Sequence, residues 1–322
     1  MTDNSILKSW IPYKLKTDND KTDCYWLNTF NLPYTEPFFD GTIGKLQSVP
    51  RGGGNYQSVS GLTAMEQWSM GITEFVAPTA FIFHVSRCGS TLITQLLSTD
   101  EQNIVLPEVP FFDDMLRLPL QNPTVSQDEA SRLLAASIKY YGQKRTGCEQ
   151  RLFIKTDSWH IYFYEQLRAL FPKTPFILLY RNPVEVFNSH AKLRGIHAVP
   201  GLIEPHLFGI QQYELADLTF DTYLARVLEH YFKLYLAIAE TDEHAYLANY
   251  NEGTMPIMEK LAQIAMDRFT PQQIEKMAVR AGYHSKDPGK KFSEDIAHEI
   301  PDVFEKVMEL YHQTENKRVA ML

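Results

Sequence analysis

The sequence predicts an α/β fold: an open, mostly parallel sheet of about five strands with helices on both faces, preceded by an irregular, β-rich N-terminal extension. Three observations lead there. From Pro78 onward, short apolar runs alternate with segments of helical period. Two of these runs, Phe81-Ile82-Phe83-His84-Val85 and Phe176-Ile177-Leu178-Leu179-Tyr180, are apolar on nearly every residue, as strands buried on both faces are. Ahead of them, residues 1–78 are crowded with aromatics, Pro and Gly, which suits short strands and turns. The expected organisation is an N-terminal extension over 1–78, packed on an α/β domain over 79–322.

The elements follow in order. A helix near Thr63 to Gly71 is the one regular element expected in the extension. After the strand 81–85 comes the loop Ser86-Arg87-Cys88-Gly89, then a helix from Ser90 with Leu92, Ile93, Leu96 and Leu97 on one face. Asn103 to Leu106 forms a strand ending at Pro107-Glu108. Ser126-Gln127-Asp128-Glu129 has capping-box spacing and opens a helix with Ala130, Leu133, Leu134, Ile138 and Tyr141 on its apolar stripe. Leu152-Phe153-Ile154 is a strand leading through Lys155-Thr156-Asp157 into a helix that ends near Phe171. After the strand 176–180, Asn182-Pro183 places a capping residue before a proline at the first helical position. That helix reaches about Arg194. Residues 195–219 lack clear period and read as an excursion, which fills core or serves as a lid over a substrate. A long helix from about Asp221 to Glu240, a fifth strand over Tyr246 to Tyr250, and helices after Thr254, Thr270 and Pro301 complete the chain.

Composition narrows the function classes. The 322 residues are 44% hydrophobic and 22% charged, within the globular range, with a formal net charge of −8. A nucleic-acid partner is not expected of so acidic a chain, and any anionic ligand must be held by local positive charge. Cys24, Cys88 and Cys148 form no CxxC pair or His/Cys cluster, which speaks against a disulfide framework or a structural zinc site. No apolar run approaches the ~20 residues that span a bilayer, and the first residues hold no apolar core of signal-peptide length. A cytoplasmic protein without a membrane partner is expected. Oligomeric state is left open.

Two motifs follow strand ends, where ligands of open α/β sheets bind. In Ser86-Arg87-Cys88-Gly89-Ser90-Thr91, a glycine permits close backbone approach, a helix start offers N–H groups and a dipole to an anion, and Arg87 adds a forked permanent charge. The nucleoside-triphosphate signature GxxxxGK[ST] is absent, since no Lys precedes Ser90. In the second motif, Arg181 is followed eight residues later by Ser189 on the next helix. Either motif alone also fits an ordinary capped helix start.

Together, the pairing resembles the sulfotransferases that use 3′-phosphoadenosine 5′-phosphosulfate (PAPS). The likeness spans about residues 79–270 and is nearest in style to the carbohydrate and protein-tyrosine branches. It implies a P-loop-like fold, and a sulfuryl transfer to a hydroxyl or amine with adenosine 3′,5′-bisphosphate as product and no metal. It implies that Arg87, Cys88, Gly89, Ser90 and Thr91 hold the 5′-phosphosulfate and that Arg181 and Ser189 hold the 3′-phosphate. Tyr250-Asn251-Glu252 echoes a Tyr-Glu-Asp segment of the family. The family's late Arg-Lys-Gly is missing; Lys286, with Lys290 and Lys291, is the candidate replacement, and an exposed turn is the competing account.

The resemblance also implies the chemistry. Arg87 faces charge that builds on the leaving phosphate, and Lys155 adds to the field. A general base must take the acceptor's proton. Glu108 is the leading candidate, by likeness to the carbohydrate and protein branches; a carboxylate at the start of a helix before Phe111-Phe112 is the competing account. Asp157 stands where small-molecule members place a His, and capping of the helix behind it is the competing account. His190, His197 and His206 follow. The acceptor is unidentified. Competing readings are an ATP-dependent small-molecule kinase, disfavoured by the missing loop Lys, and a nucleotide-binding module without turnover.

Overall fold

The computed structural model describes residues 7–18, 21–50, 57–265, 268–283 and 301–321. Two sheets form. The first is antiparallel, in the order β1 (Trp10–Asp18), β2 (Lys21–Asn28), β3 (Ser58–Gly61). The second contains β4 (Pro78–His84), β5 (Asn103–Pro107), β6 (Arg151–Lys155), β7 (Phe176–Tyr180) and β8 (Ala245–Asn249) in the order β5-β6-β4-β7-β8. Its described pairings, β5 with β6, β4 with β7 and β7 with β8, are all parallel. The fold is therefore the α/β architecture that the alternating pattern predicts. All five residues of β5 and of β7 are buried, which explains why both read as unbroken apolar runs.

The chain divides into two compact units. One takes in residues up to Thr79, then Thr94–Lys155 and Glu165–Pro172; the other takes in Ala80–Ile93, Thr156–Tyr164 and Lys173–Leu322. In the first, the antiparallel sheet packs on two helices, Pro110–Gln121 and Gln127–Tyr141. Tyr141 donates its hydroxyl to Pro12 O at 2.5 Å and Tyr140 to Met65 O at 2.9 Å. Trp26 meets the Tyr140 ring edge-on at 4.8 Å. Pro12 sits where the β1–β2 register shifts, as suits a residue with no ladder N–H. Ser126 caps the second helix by accepting the Glu129 N–H at 3.1 Å, as its spacing predicts. The helix 110–121 was expected only as the competing account of Glu108. Pro110, Pro119 and the pair Asp113-Asp114 break the sequence pattern, yet Phe111, Phe112, Met115, Leu116 and Leu118 bury one face of it.

In the second unit, the helix Phe220–Thr241 buries ten residues, among them Tyr223, Tyr231, Phe232 and Tyr235, and packs with the C-terminal helix Glu305–Ala320. Phe176 of β7 stacks edge-on against Phe81 of β4 at 5.3 Å. The predicted helix after Asp157 begins as a 3-10 segment, Ser158–Phe163, before the α-helix Tyr164–Leu170. The excursion 195–219 consists of three short 3-10 segments, Ile196–Ala198, Pro205–Phe208 and Gln212–Asp217. Ile203, Phe208 and Ile210 are buried, and Phe208 meets Tyr223 and Tyr231. These apolar residues fill the interior of their unit, while Leu202 is exposed. No helix among the described residues is long and apolar enough to cross a membrane.

Candidate functional site

The loop after β4 is bent by backbone conformation that its sequence does not advertise. Ser86, Arg87 and Gly89 all have positive φ, at 65°, 49° and 79°. Two consecutive non-glycine residues in this region are uncommon and mark a constrained turn. His84 braces the entrance. Its Nδ1 accepts the Ser86 N–H at 3.0 Å, so Nε2 carries the proton and donates to Thr156 O at 3.0 Å. Gly89 O accepts from the N–H groups of Leu92 and Ile93, which starts the helix Ser90–Leu97 at the glycine. Ser90 and Thr91 therefore occupy its first turn, where the dipole and backbone N–H groups favour an anion. Cys88 is fully buried and its thiol lies 3.6 Å from Leu179 O, so it meets the core rather than the loop's concave side. Arg87 donates to Leu193 O, the C-cap of the helix Pro183–Lys192.

The helix start after β7 forms as Asn182-Pro183 predicts. Asn182 caps the helix 183–192 by accepting the Val184 N–H at 2.9 Å, with Pro183 in the first turn. Arg181, at the end of β7, pairs with Glu185, whose other oxygen accepts from Asn251 Nδ2 at 2.8 Å. Asn251 in turn accepts the Asn182 N–H at 2.9 Å. Ser189 lies half-buried two turns into the same helix.

Tyr250 connects the motifs. Its ring packs so closely on Gly89 that a Cβ there would overlap ring atoms, and the Arg181 guanidinium lies 5.2 Å from the ring centroid. Burial raises the Tyr250 hydroxyl above its ordinary pKa, with Arg181 pulling the other way. The sequence reading assigned Gly89 to close approach of a ligand; the group that approaches it here is this ring.

In the first unit, β5 ends at Pro107, paired with Lys155, and the Glu108 N–H donates to Lys155 O at 2.8 Å. Glu108 has φ of 53°, so this strand end too carries a left-handed non-glycine residue. Its carboxylate accepts from Lys155 Nζ at 2.5 Å; the Lys155 side chain is 0% exposed and that of Glu108 21%. A buried ammonium is tolerated because this carboxylate neutralises it.

The remaining candidates separate clearly. Asp157 occupies the N-cap of the 3-10 segment 158–163 and its N–H donates to His160 Nδ1 at 3.3 Å. His190 and His197 are buried against each other with ring centroids 5.2 Å apart, and His206 is exposed. Lys286, Lys290 and Lys291 lie outside the described residues. Sequence reasoning passed over His84, Glu185 and the role of Tyr250. Glu185 had a signal in the sequence, four residues after Arg181 on a helix start, the spacing of a paired acid and base. Tyr250 had only its place in Tyr250-Asn251-Glu252, and His84 had none; the contacts of Tyr250 with Gly89 and of His84 with Thr156 are set by strand order.

Residues 78–200 match a family model described as "Sulfotransferase family". No curated protein matches the chain by sequence. Among solved structures, the chain is similar to a sulfotransferase from Alicyclobacillus acidocaldarius (13% identity, 76% of this chain and 96% of that one, TM-score 0.41). It is similar to a sulfotransferase domain from the curacin biosynthetic pathway (15%, 75% and 99%, 0.48). A third is a sulfotransferase from Mycobacterium tuberculosis H37Rv (11%, 80% and 80%, 0.45).

Proposed function

With residues 78–200 matching a sulfotransferase family model, we propose that this chain transfers a sulfuryl group from PAPS to a hydroxyl or amine acceptor. The observation that supports this best is Tyr250, which joins the Ser86–Thr91 loop to Arg181 within one unit. Two anion-binding features on neighbouring parallel strands, β4 and β7, suit a nucleotide with phosphates at two positions. The residues present fit that ligand. A strained loop turns into a helix N-terminus carrying Ser90 and Thr91, and an arginine stands at each strand end.

When bound, PAPS supplies an activated sulfuryl group on a phosphate leaving group. Arg87, Gly89, Ser90 and Thr91 hold the 5′-phosphosulfate, with Cys88 contributing backbone only. Arg181 and Ser189 hold the 3′-phosphate, where Glu185 and Asn251 keep the guanidinium aimed. Arg87 stabilises charge where it develops, since its own charge is permanent. Glu108 accepts the acceptor's proton on its carboxylate; it stands at a strand end, strained and partly exposed. Asp157 is the alternative base, and its N-cap position gives it a structural role as well. Lys286 is the candidate for added charge at the 3′-phosphate.

Thermal shift tests the donor. Adenosine 3′,5′-bisphosphate at a hundredfold its Kd stabilises the protein by about 2.7 kcal/mol, with EDTA present. Stabilisation by Mg-ATP and none by the bisphosphate would turn the reading toward a kinase. Incubation of PAPS with phenols, alcohols, amines and sugars identifies the acceptor class. Bisphosphate binding without turnover on any acceptor would leave a nucleotide-binding module.

A further inference from the structure

Lys155 is the last residue of β6 and its ammonium is wholly withdrawn from solvent, held by Glu108 at 2.5 Å. One ion pair fixes a distance but not a direction, because the lysine stem rotates about four bonds. A second group restricts it. The face of the Phe38 ring stands over Lys155 Nζ, 5.1 Å from the ring centroid. Attraction between an ammonium and a ring face is strongest where water is excluded, as at this nitrogen.

Helix capping does not account for a phenylalanine at this position. Phe38 is the N-cap of the helix Phe39–Gln47, in extended conformation, and makes no side-chain capping bond. Ser, Thr, Asp or Asn would cap that helix better. Its neighbour Phe39 is fully buried in the core, whereas the Phe38 ring is half-buried and turned to Lys155. Asp40, two residues on, has its carboxyl pushed above the ordinary range by burial and then by the charge of Glu108. Residues 38–40 therefore share one electrostatic cluster with Glu108 and Lys155, all within the first unit.

We propose that Phe38 is a positioning residue for the reaction: its ring caps the Lys155 ammonium, holds it on Glu108 and so keeps the proton-accepting carboxylate in a fixed direction. The inference rests on Glu108 acting as base. It gives the N-terminal region, which the sequence left without a role, a part in orienting Glu108 within the same unit.

The test compares Phe38→Leu, which keeps apolar bulk and loses the ring, with Phe38→Tyr, which keeps the ring. Turnover is measured with PAPS and two acceptor probes, at a pH above the pKa of 4-nitrophenol: phenethyl alcohol, whose proton must be removed, and 4-nitrophenol, which is then already ionised. The Leu variant loses about tenfold or more in kcat on the alcohol and little on the nitrophenol. Its KM for PAPS stays within about twofold, and the Tyr variant regains the rate. In lysine-labelled protein, the Lys155 Hε resonances lie upfield under the ring, move downfield in the Leu variant and stay in the Tyr variant. Resonances that ignore Phe38→Leu overturn the inference even if no acceptor is sulfated and the sulfotransferase reading itself fails. Equal loss on both acceptors with a raised KM for PAPS also overturns it, since that is the mark of general damage.

Discussion

The ring of Tyr250 lies against Gly89 so closely that no side-chain carbon fits between them. Gly89 also has φ of 79°, so both space and backbone exclude other residues. Gly89→Ala should destabilise the protein by about 2 kcal/mol, the sum of left-handed strain and overpacking. Tyr250→Ala in the same chain should recover the packing part and leave the strain. Urea denaturation of the four variants in a double-mutant cycle measures the recovery; additive losses would mean that the two residues do not press on each other.

Arg181 and Ser189 are assigned to a phosphate that only PAPS carries. Arg181→Ala should weaken PAPS by about 2 kcal/mol, the worth of a hydrogen bond to a charged group, and Ser189→Ala by about 1 kcal/mol. Neither should much affect adenosine 5′-phosphosulfate. Calorimetric titration of both ligands decides it, and equal losses would sink the assignment.

For Arg87, the loss of turnover should exceed the loss of PAPS affinity, because charge on the leaving group grows in the transition state. Arg87→Lys should retain part of the rate through point charge alone. Single-turnover kinetics at saturating PAPS separate the two effects. Wild-type turnover in Arg87→Ala would remove this residue from the chemistry.

Glu108→Gln should bind PAPS normally and lose about two to four orders of magnitude in turnover of an alcohol, the usual worth of a general base. Asp157→Asn should lose less, since Asn also caps helices well. Rates on an acceptor of high pKa, with bisphosphate affinity as control, rank the two. If only Asp157→Asn is inactive, the base is Asp157.

Asp114 gives a prediction about pH. Burial pushes its carboxyl from 3.8 to about 6, although it accepts the Leu15 N–H at 3.4 Å. The unfolded chain thus loses this proton at lower pH than the folded protein, so stability falls as pH rises from about 4 to about 6 and stays reduced above. Asp114→Asn should therefore stabilise the protein by about 2 kcal/mol at pH 7, with the gain shrinking toward pH 4. Thermal unfolding across that range checks the sign; a constant gain would refute the mechanism.

By itself, the sequence determined the α/β class, the five parallel strands and the two motifs at strand ends. Each depends on signals within a few residues: Phe176 to Tyr180 is apolar throughout because both faces are covered, and Asn182-Pro183 caps its own helix. The helix 110–121 was legible only as an alternative account of Glu108, because its prolines and acids mask an apolar face that packing reveals.

Tertiary structure alone decided the rest. Phe38 and Lys155 are 117 positions apart in the chain, and Tyr250 and Gly89 are 161 apart. Contacts at such separations arise from strand order and from which way a side chain leaves its strand end, and no local pattern encodes either. Backbone strain was equally invisible: nothing in the residue types at Ser86, Arg87 or Glu108 announces a left-handed turn. Those conformations persist because buried partners impose them, the His84 ring beneath Ser86 and the Lys155 carbonyl opposite the Glu108 N–H.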